Sequence, residues 1–544
     1  MKHKNGRYII ANPIYALVIA VIISLNFTAC QPEKASTIDM NILQIVVEDW
    51  SAFSIGAYGN NVVKTPHVDQ LAEKGILFTR AYCQATVCNP SRASLTTGLR
   101  PDLTKVYGNP DEMDQHVPED APFMGALLGS NGAYTLSYGK LVHKWYSAKR
   151  FANGFDFIDH VTEEVGFEGE TTSCTEEREE NELTRNGFRH VPDKAVDERL
   201  IQLQEERDSI LAAGHPRVWE VFKPFQQLKA EQLGNSGLLD HEMQDGRISR
   251  CVAGKLEELT RKEGQFFMTV GLYAPHTSLL APQQYVDMYD PEDMELTKAP
   301  RDQDENIPYV ALRNGRNFDI FNGLYPEYQP TPERQKKAIA SYYACASYVD
   351  AQIGIILDAL EETGLDQNTI VLLTSDHGFH LGEHGCWSKF TAFEQSIRVP
   401  MVIYVPGAAG NGKVCDEIVE LVDILPTYCD LWNIEKDQQF EGLSMAPLLE
   451  NPDQAWKKAA FSMVPFSEPG RCVRTKRYKY AEYRKTFATP DSDELPFARE
   501  LYDLEVDPLE QKNVVDKEEY ADVVRELSDL LEAGWPAALP AGVQ

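Results

Sequence analysis

Residues 41–49 read Asn-Ile-Leu-Gln-Ile-Val-Val-Glu-Asp. An apolar, largely β-branched run ends here in two carboxylates. A continuous run of this kind marks a strand buried on both faces, as in a parallel sheet. The pattern recurs downstream. Ala133 to Ser137 runs into Gly139, Lys140 and His143, and Phe266 to Leu272 runs into Ala274-Pro275-His276. Thr369 to Thr374 runs into Asp376-His377-Gly378, and Val399 to Val405 is one more buried strand. Helical patterns lie between. Thr65-Pro66 opens one that Gly75 ends. Thr331-Pro332-Glu333 opens a long one that Gly364 closes, with Tyr342, Cys345, Val349, Ile353, Ile356 and Leu360 recurring every three or four residues. Strands alternating with helices predict an α/β fold with a mainly parallel central sheet and helices on both faces. Ligands of such sheets bind beyond the C-terminal strand ends. Each polar cluster alone reads equally well as a solvated loop. Their repetition at the same end of successive strands makes one shared site the better explanation.

The chain has 544 residues, room for one large and one small domain. With 52 basic and 83 acidic side chains its net charge is −31. That balance argues against a nucleic-acid partner and against adhesion to acidic membranes. Glu163 to Ile248 is charged, most acidic from Glu176 to Glu182, and reads as a peripheral insertion into a large domain over 38–431. From 432 to 544 the texture changes to a smaller α+β subdomain. Arg474 to Tyr483 reads as an antiparallel strand, and Glu518 to Ala533 as a terminal amphipathic helix. The basic run Arg471, Arg474, Lys476, Arg477 and Lys479 either reaches an anionic glycan or, the favoured reading, blunts an edge strand.

The N-terminus is an address. Lys2, Lys4 and Arg7 precede an apolar run from Ile14 to Ile23, too short to span a bilayer. Phe27-Thr28-Ala29-Cys30 then resembles a bacterial lipoprotein processing site, with Phe27 where the pattern usually has leucine. The readings are a lipid anchor on Cys30, an ordinary secretory signal or a retained anchor helix. Each takes the chain out of the cytoplasm, to a bacterial periplasm or cell surface in the first case. Residues 1–29 hold three basic and no acidic groups, so their removal takes the charge from −31 to −34. The ten cysteines contain no C-x-x-C pair, so a structural zinc site is not expected, and their pairing is not deducible. Cys345 reads as core.

The most informative stretch is Val87-Cys88-Asn89-Pro90-Ser91-Arg92-Ala93-Ser94-Leu95-Thr96-Thr97-Gly98. Cys88 stands at the start of a helix, facing unpaired N–H groups and the positive end of the dipole. Arg92, four residues on, shares its face. That suits a nucleophile attacking an anionic group; the bland alternative is a buried cysteine beside a helix cap.

C-x-P-S-R followed by L-T-T-G resembles the sulfatase signature. Ser375-Asp376-His377-Gly378, Leu381-Gly382-Glu383-His384-Gly385 and Trp387-Ser388-Lys389 resemble the iduronate-2-sulfatase branch of that family. Gly139-Lys140 with His143, Ala274-Pro275-His276 and Leu501-Tyr502-Asp503-Leu504-Glu505 match further family blocks in order. The resemblance covers about residues 40–530 and is weakest in the insertion. It implies an alkaline-phosphatase-like fold and a calcium-dependent sulfuric ester hydrolase. It also implies that a separate maturation enzyme oxidises Cys88 to formylglycine. Glu48, Asp49, Asp376 and His377 match the positions that bind one Ca²⁺, with residue 88 completing the site. The family usually has two aspartates where this chain has Glu48-Asp49. Arg92, Lys140 and Lys389 are implied to hold formylglycine and the sulfate oxygens. His276 is implied as the acid for the leaving alcohol, and His143 as the base that expels sulfate. His380, Glu383, His384 and Trp387 either touch substrate or shape the turn. The expected substrate is a sulfated carbohydrate, a glycosaminoglycan or an algal polysaccharide such as ulvan. The alternatives are a phosphonate or phosphate ester hydrolase of the same superfamily and a non-catalytic glycan-binding lipoprotein.

Overall fold

The computed structural model describes residues 40–143, 148–159, 168–171, 209, 232–317, 330–466, 468–487 and 495–542. Residues 1–29, Cys30 and the acidic run 176–182 lie outside the described residues. The first strand, β1 (Asn41–Val47), is buried throughout. It lies in parallel register between β5 (Phe266–Leu272) and β6 (Thr369–Ser375). The sheet also contains β2 (Ile76–Tyr82), β3 (Tyr134–Gly139), β4 (Phe157–Ile158), β7 (Arg398–Tyr404) and β8 (Val414–Glu420). The eight strands stand in the order β8-β2-β7-β6-β1-β5-β3-β4.

Five of the pairings are parallel, but β7 runs antiparallel to both its neighbours. The physical reason is the connection. The segment joining β6 to β7 stays at the C-terminal end of β6, so the chain re-enters the sheet from that end. Strands β2 and β8 escape sequence reading because Thr79-Arg80 and Asp416-Glu417 interrupt their apolar runs.

The long helix α4 (Pro332–Glu362) starts as the sequence predicts, with the Thr331 hydroxyl accepting from Arg334 N at 3.3 Å. Gly364 follows it in the left-handed region at φ 72°, where glycine carries no Cβ penalty. Its Val349, Ile353, Ile356 and Leu360 pack into the core beside Leu43, Ile45 and Val47 of β1. Helix α1 (Pro66–Lys74) is capped from a distance. Asp350 of α4 accepts from His67 N and Val68 N at 3.2 and 2.9 Å, while Thr65 donates to Asp69 Oδ1 at 3.1 Å. A carboxylate there satisfies two orphan N–H groups and the positive dipole end together.

Two sequence readings need correction here. Helix α3 (Gln244–Leu259) begins inside the stretch read as peripheral, yet its Ile248, Val252 and Leu256 are core residues. The peripheral reading of 163–248 therefore fails at its C-terminal end. The C-terminal segment forms an antiparallel meander of β9 (Ala459–Val464), β10 (Gly470–Thr475), β11 (Tyr478–Tyr483) and β12 (Ala498–Asp503). Helix α5 (Ala521–Ala533) covers it through Val524, Leu527 and Leu531. The basic run therefore lies on the two inner strands and their turn, and it blunts no edge. Its charges are paired: Arg471 with Asp102, Arg474 with Glu394, Lys476 with Glu417, Arg477 with Asp503 and Lys479 with Glu510. Cys251 is disulfide-bonded, and Cys83, Cys88, Cys345, Cys386, Cys415, Cys429 and Cys472 carry free, buried thiols.

Candidate active site

The polar strand ends do meet. Helix α2 (Cys88–Thr97) is buried at every residue and begins at Cys88 itself. Lys389 Nζ lies 3.2 Å from Cys88 Sγ, His377 Nε2 at 3.3 Å and Glu48 Oε1 at 3.6 Å. Lys389 also donates to Asp49 Oδ1 at 2.6 Å. Lys140 pairs with the Glu48 carboxylate. Arg92 donates from Nε to Asp376 Oδ2 at 2.8 Å, and from Nη1 to the carbonyls of Lys140 and Leu141. Its Nη2 has no hydrogen-bond partner among the described residues, although the side chain is fully buried. His276 Nε2 approaches Glu48 Oε1 at 3.7 Å and Asp49 Oδ2 at 3.9 Å. His143 lies three residues past Lys140 at the exit of β3 and is half-buried.

Asp49, Cys88, Asp376 and His377 place one ligand atom each within 4.8 Å of one another. Two carboxylates and an imidazole converging in a buried space fit a hard divalent cation. Glu48 stands apart from that set. It groups with Asp49 and His276, and its Oε1 faces Lys140.

Charge and burial set the protonation states. Burial pushes the Cys88 thiol up to about 12, with Lys389 and Lys140 pulling it down only in part. Burial would also raise Asp376, but His377 and Arg92 outweigh it and hold that carboxyl below its ordinary value. Burial opposes charge on Lys389, yet Asp49 and the other anions around it raise its pKa. Burial drives His276 down to about 4 against the pull of Glu48 and Asp49, so its ring is neutral at pH 7 in the free protein.

Several supporting residues were not singled out from sequence. Tyr342, read only as an apolar helix position, donates its hydroxyl to Asp49 O at 2.7 Å and accepts from Ser51 N at 3.0 Å. It thereby supports Asp49, whose φ of 58° is uncommon for a residue with a side chain. Asp49 N also donates to Asp376 Oδ1 at 3.0 Å. Asp245 of α3 accepts from Tyr273 N and Ala274 N at 2.9 and 2.8 Å, which holds the turn carrying His276. Lys479 donates to Ala392 O at 2.9 Å, three residues beyond Lys389. Each of these contacts joins distant segments, so no local pattern announces it. His380, His384 and Trp387 are buried and shape the loop: His384 bonds Asp304 at 2.7 Å and stacks on Phe393, and His380 contacts Thr391. Glu383 accepts from Leu381 N within the same loop.

Three cations and a cluster of carboxylates and imidazole surround one buried position at the ends of parallel strands, an arrangement suited to an ester of an anionic group. Comparison with known proteins agrees. The sulfatase family model matches residues 40–434, and the model of the N-sulphoglucosamine sulphohydrolase C-terminal region matches residues 382–534. The chain belongs to the sulfatase family and is a sulfuric ester hydrolase. Iduronate 2-sulfatase of Mus musculus is 28% identical, over 91% of this chain and 94% of its own. An ulvan-active sulfatase of Formosa agariphila is 26% identical, over 94% of this chain and 84% of its own. A solved phosphonate monoester hydrolase from Silicibacter pomeroyi shares the fold with a TM-score of 0.69 at 20% identity, covering 92% of this chain and 96% of that one.

Proposed function

We propose that this sulfatase removes sulfate from a sulfated carbohydrate, either a glycosaminoglycan fragment or an ulvan-type polysaccharide. The observation that carries the anionic-ester chemistry is the convergence of Arg92, Lys140 and Lys389 around position 88, with Arg92 Nη2 unpartnered among the described residues. A tetrahedral anion answers both the positive charge and the orphan N–H. The saccharide follows from the relatives, whose names give iduronate and ulvan as what they act on.

An unmodified thiol suits position 88 poorly, because at about 12 its pKa leaves it protonated at neutral pH. We take Cys88 to be formylglycine in the mature protein, installed by a maturation enzyme; when present it supplies an oxygen nucleophile. Asp49, Asp376 and His377 would hold one Ca²⁺, with Glu48 grouped beside Asp49 and His276. When bound, such an ion would supply Lewis acidity. The remaining work belongs to the chain's own side chains. Arg92, Lys140 and Lys389 bind sulfate oxygens and stabilise charge as the S–O bond breaks. His276 donates a proton to the leaving alcohol oxygen. A sulfate anion bound beside it favours its protonated form. His143 accepts the proton whose removal releases sulfate.

The test is a screen of defined sulfated oligosaccharides, with 2-O-sulfated uronate disaccharides from heparin and ulvan oligosaccharides among them, reading released sulfate by ion chromatography. Turnover of matched phosphate or phosphonate esters in preference to every sulfate ester would replace this reading with the phosphonate hydrolase one. Export and a lipid on Cys30 complete the proposal, in keeping with the Cys251 disulfide, which an oxidising compartment favours. Cys30→Ala should move the protein from the membrane fraction to the soluble one.

A further inference from the structure

Phe390 follows Lys389 directly and sits at φ 77°, a region a bulky aromatic residue rarely occupies. Such a conformation persists only where the surroundings enforce it, and it clusters at functional sites. It places the Phe390 ring centre 5.8 Å from Lys389 Nζ. That Nζ is 3.2 Å from Cys88 Sγ. Laid end to end, 5.8 Å and 3.2 Å put the ring no farther than about 9 Å from the sulfur. Phe390 is partly exposed, as is His276 of the same site. Phe466 meets it edge to face, with ring centres 5.3 Å apart and planes at 77°. Phe466 is itself half-exposed and comes from the segment between β9 and β10.

This arrangement differs from the rest of the site. The cations, carboxylates and histidines address the sulfate and the bridging oxygen. Phe390 offers apolar surface just outside them, at the distance where the sugar bearing the ester would lie. A pyranose ring presents C–H groups on its faces, and these match the negative face of an aromatic ring. We infer that Phe390, backed by Phe466, is the platform on which the sulfated sugar ring stacks, and so a specificity-determining residue for the saccharide. The inference rests on the saccharide reading above.

Phe390→Gly is the informative variant, because glycine keeps φ 77° without strain and removes only the ring. Three quantities decide the matter: KM and kcat for the fastest-cleaved saccharide of the panel, the inhibition constant of inorganic sulfate, and the melting temperature. The expected result is a KM raised about tenfold with kcat within about twofold, the signature of lost uniform binding. The sulfate inhibition constant should stay unchanged, because sulfate alone fills only the cationic pocket. Phe390→Tyr should restore KM to within about threefold. An unchanged KM for Phe390→Gly overturns the platform. So does a parallel loss of sulfate affinity or of folding, either of which would make Phe390 a prop for Lys389. A wild-type protein that cleaves simple aryl sulfates but no saccharide overturns the saccharide reading instead, before the variant is consulted.

Discussion

Two regions of this protein bury comparable amounts of charge and use it differently. At the C-terminal ends of the parallel strands, Glu48, Asp49 and Asp376 face Arg92, Lys140 and Lys389. At the junction with the C-terminal meander, Glu420 and Asp423 face Arg100 and Lys457, while Glu394 and Glu510 face Arg474 and Lys479. The second region is closed. Lys457 touches both its carboxylates at 2.7 Å, and Lys479 lies between the rings of Phe393 and Tyr502 at 4.4 and 4.6 Å. The first is open. Lys389 touches the Cys88 sulfur at 3.2 Å, and the partly exposed side chains of His276 and Phe390 lie at its border with solvent. Buried charge by itself therefore marks no active site. Buried charge that solvent can reach does.

The contrast is breakable by mutation. Cys88→Ala should abolish turnover, a loss of about 10⁴-fold or more, with the melting temperature within about 2 °C of wild type. Measurable activity in that variant would remove position 88 from the mechanism. Chelation should strip most activity and Ca²⁺ should restore it; full activity in protein shown metal-free by elemental analysis would dismantle the Asp49–Asp376–His377 site. Lys389→Met should lower kcat about 10²- to 10³-fold, and a kcat within twofold of wild type would sink its role.

The closed region should respond through stability. Burial would raise Glu420, but Arg100 and Lys457 outweigh it and hold the carboxyl at about 2, below the ordinary 4.5. A depressed folded-state value means this stabilisation is fully present above about pH 4.5. It is lost as pH falls from there toward 2. Glu420→Gln should cost about 3–5 kcal/mol and flatten that acid limb of the unfolding curve, with kcat of the folded enzyme unchanged. The smallest effect on turnover separates two buried lysines. Lys479→Met should lower kcat about threefold, because Lys479 holds Ala392 on the Lys389 loop, and Lys479→Arg should recover part of it. Lys457→Met should lower the melting temperature and leave kcat alone. Equal kcat in the two methionine variants would show that Lys479 is structural only.

Much of the site was legible because its signals are local. Strands buried on both faces read as apolar runs, and their polar exits stand next to them in the chain. Cys88 and Arg92 share a helix face through spacing alone. The basic run from Arg471 to Lys479 was misread for the opposite reason. Its partners Asp102, Glu394, Glu417 and Glu510 lie far away in sequence, and whether its strands are edge or inner depends on what pairs with them.

The sequence by itself determined the alternation of strands and helices, the buried strand ends and the residues that gather beyond them. Periodicity and residue chemistry act over a few positions, and that range suffices. Only the tertiary structure decided that β7 runs antiparallel, that Asp350 caps a helix almost 300 residues before it, and that Tyr342 and Asp245 hold the Asp49 and His276 turns. It also decided that Glu48 faces Lys140, and that Phe390 meets Phe466. These are contacts between segments distant in sequence, set by which strands pair and which helices pack. No window of neighbouring residues contains both partners.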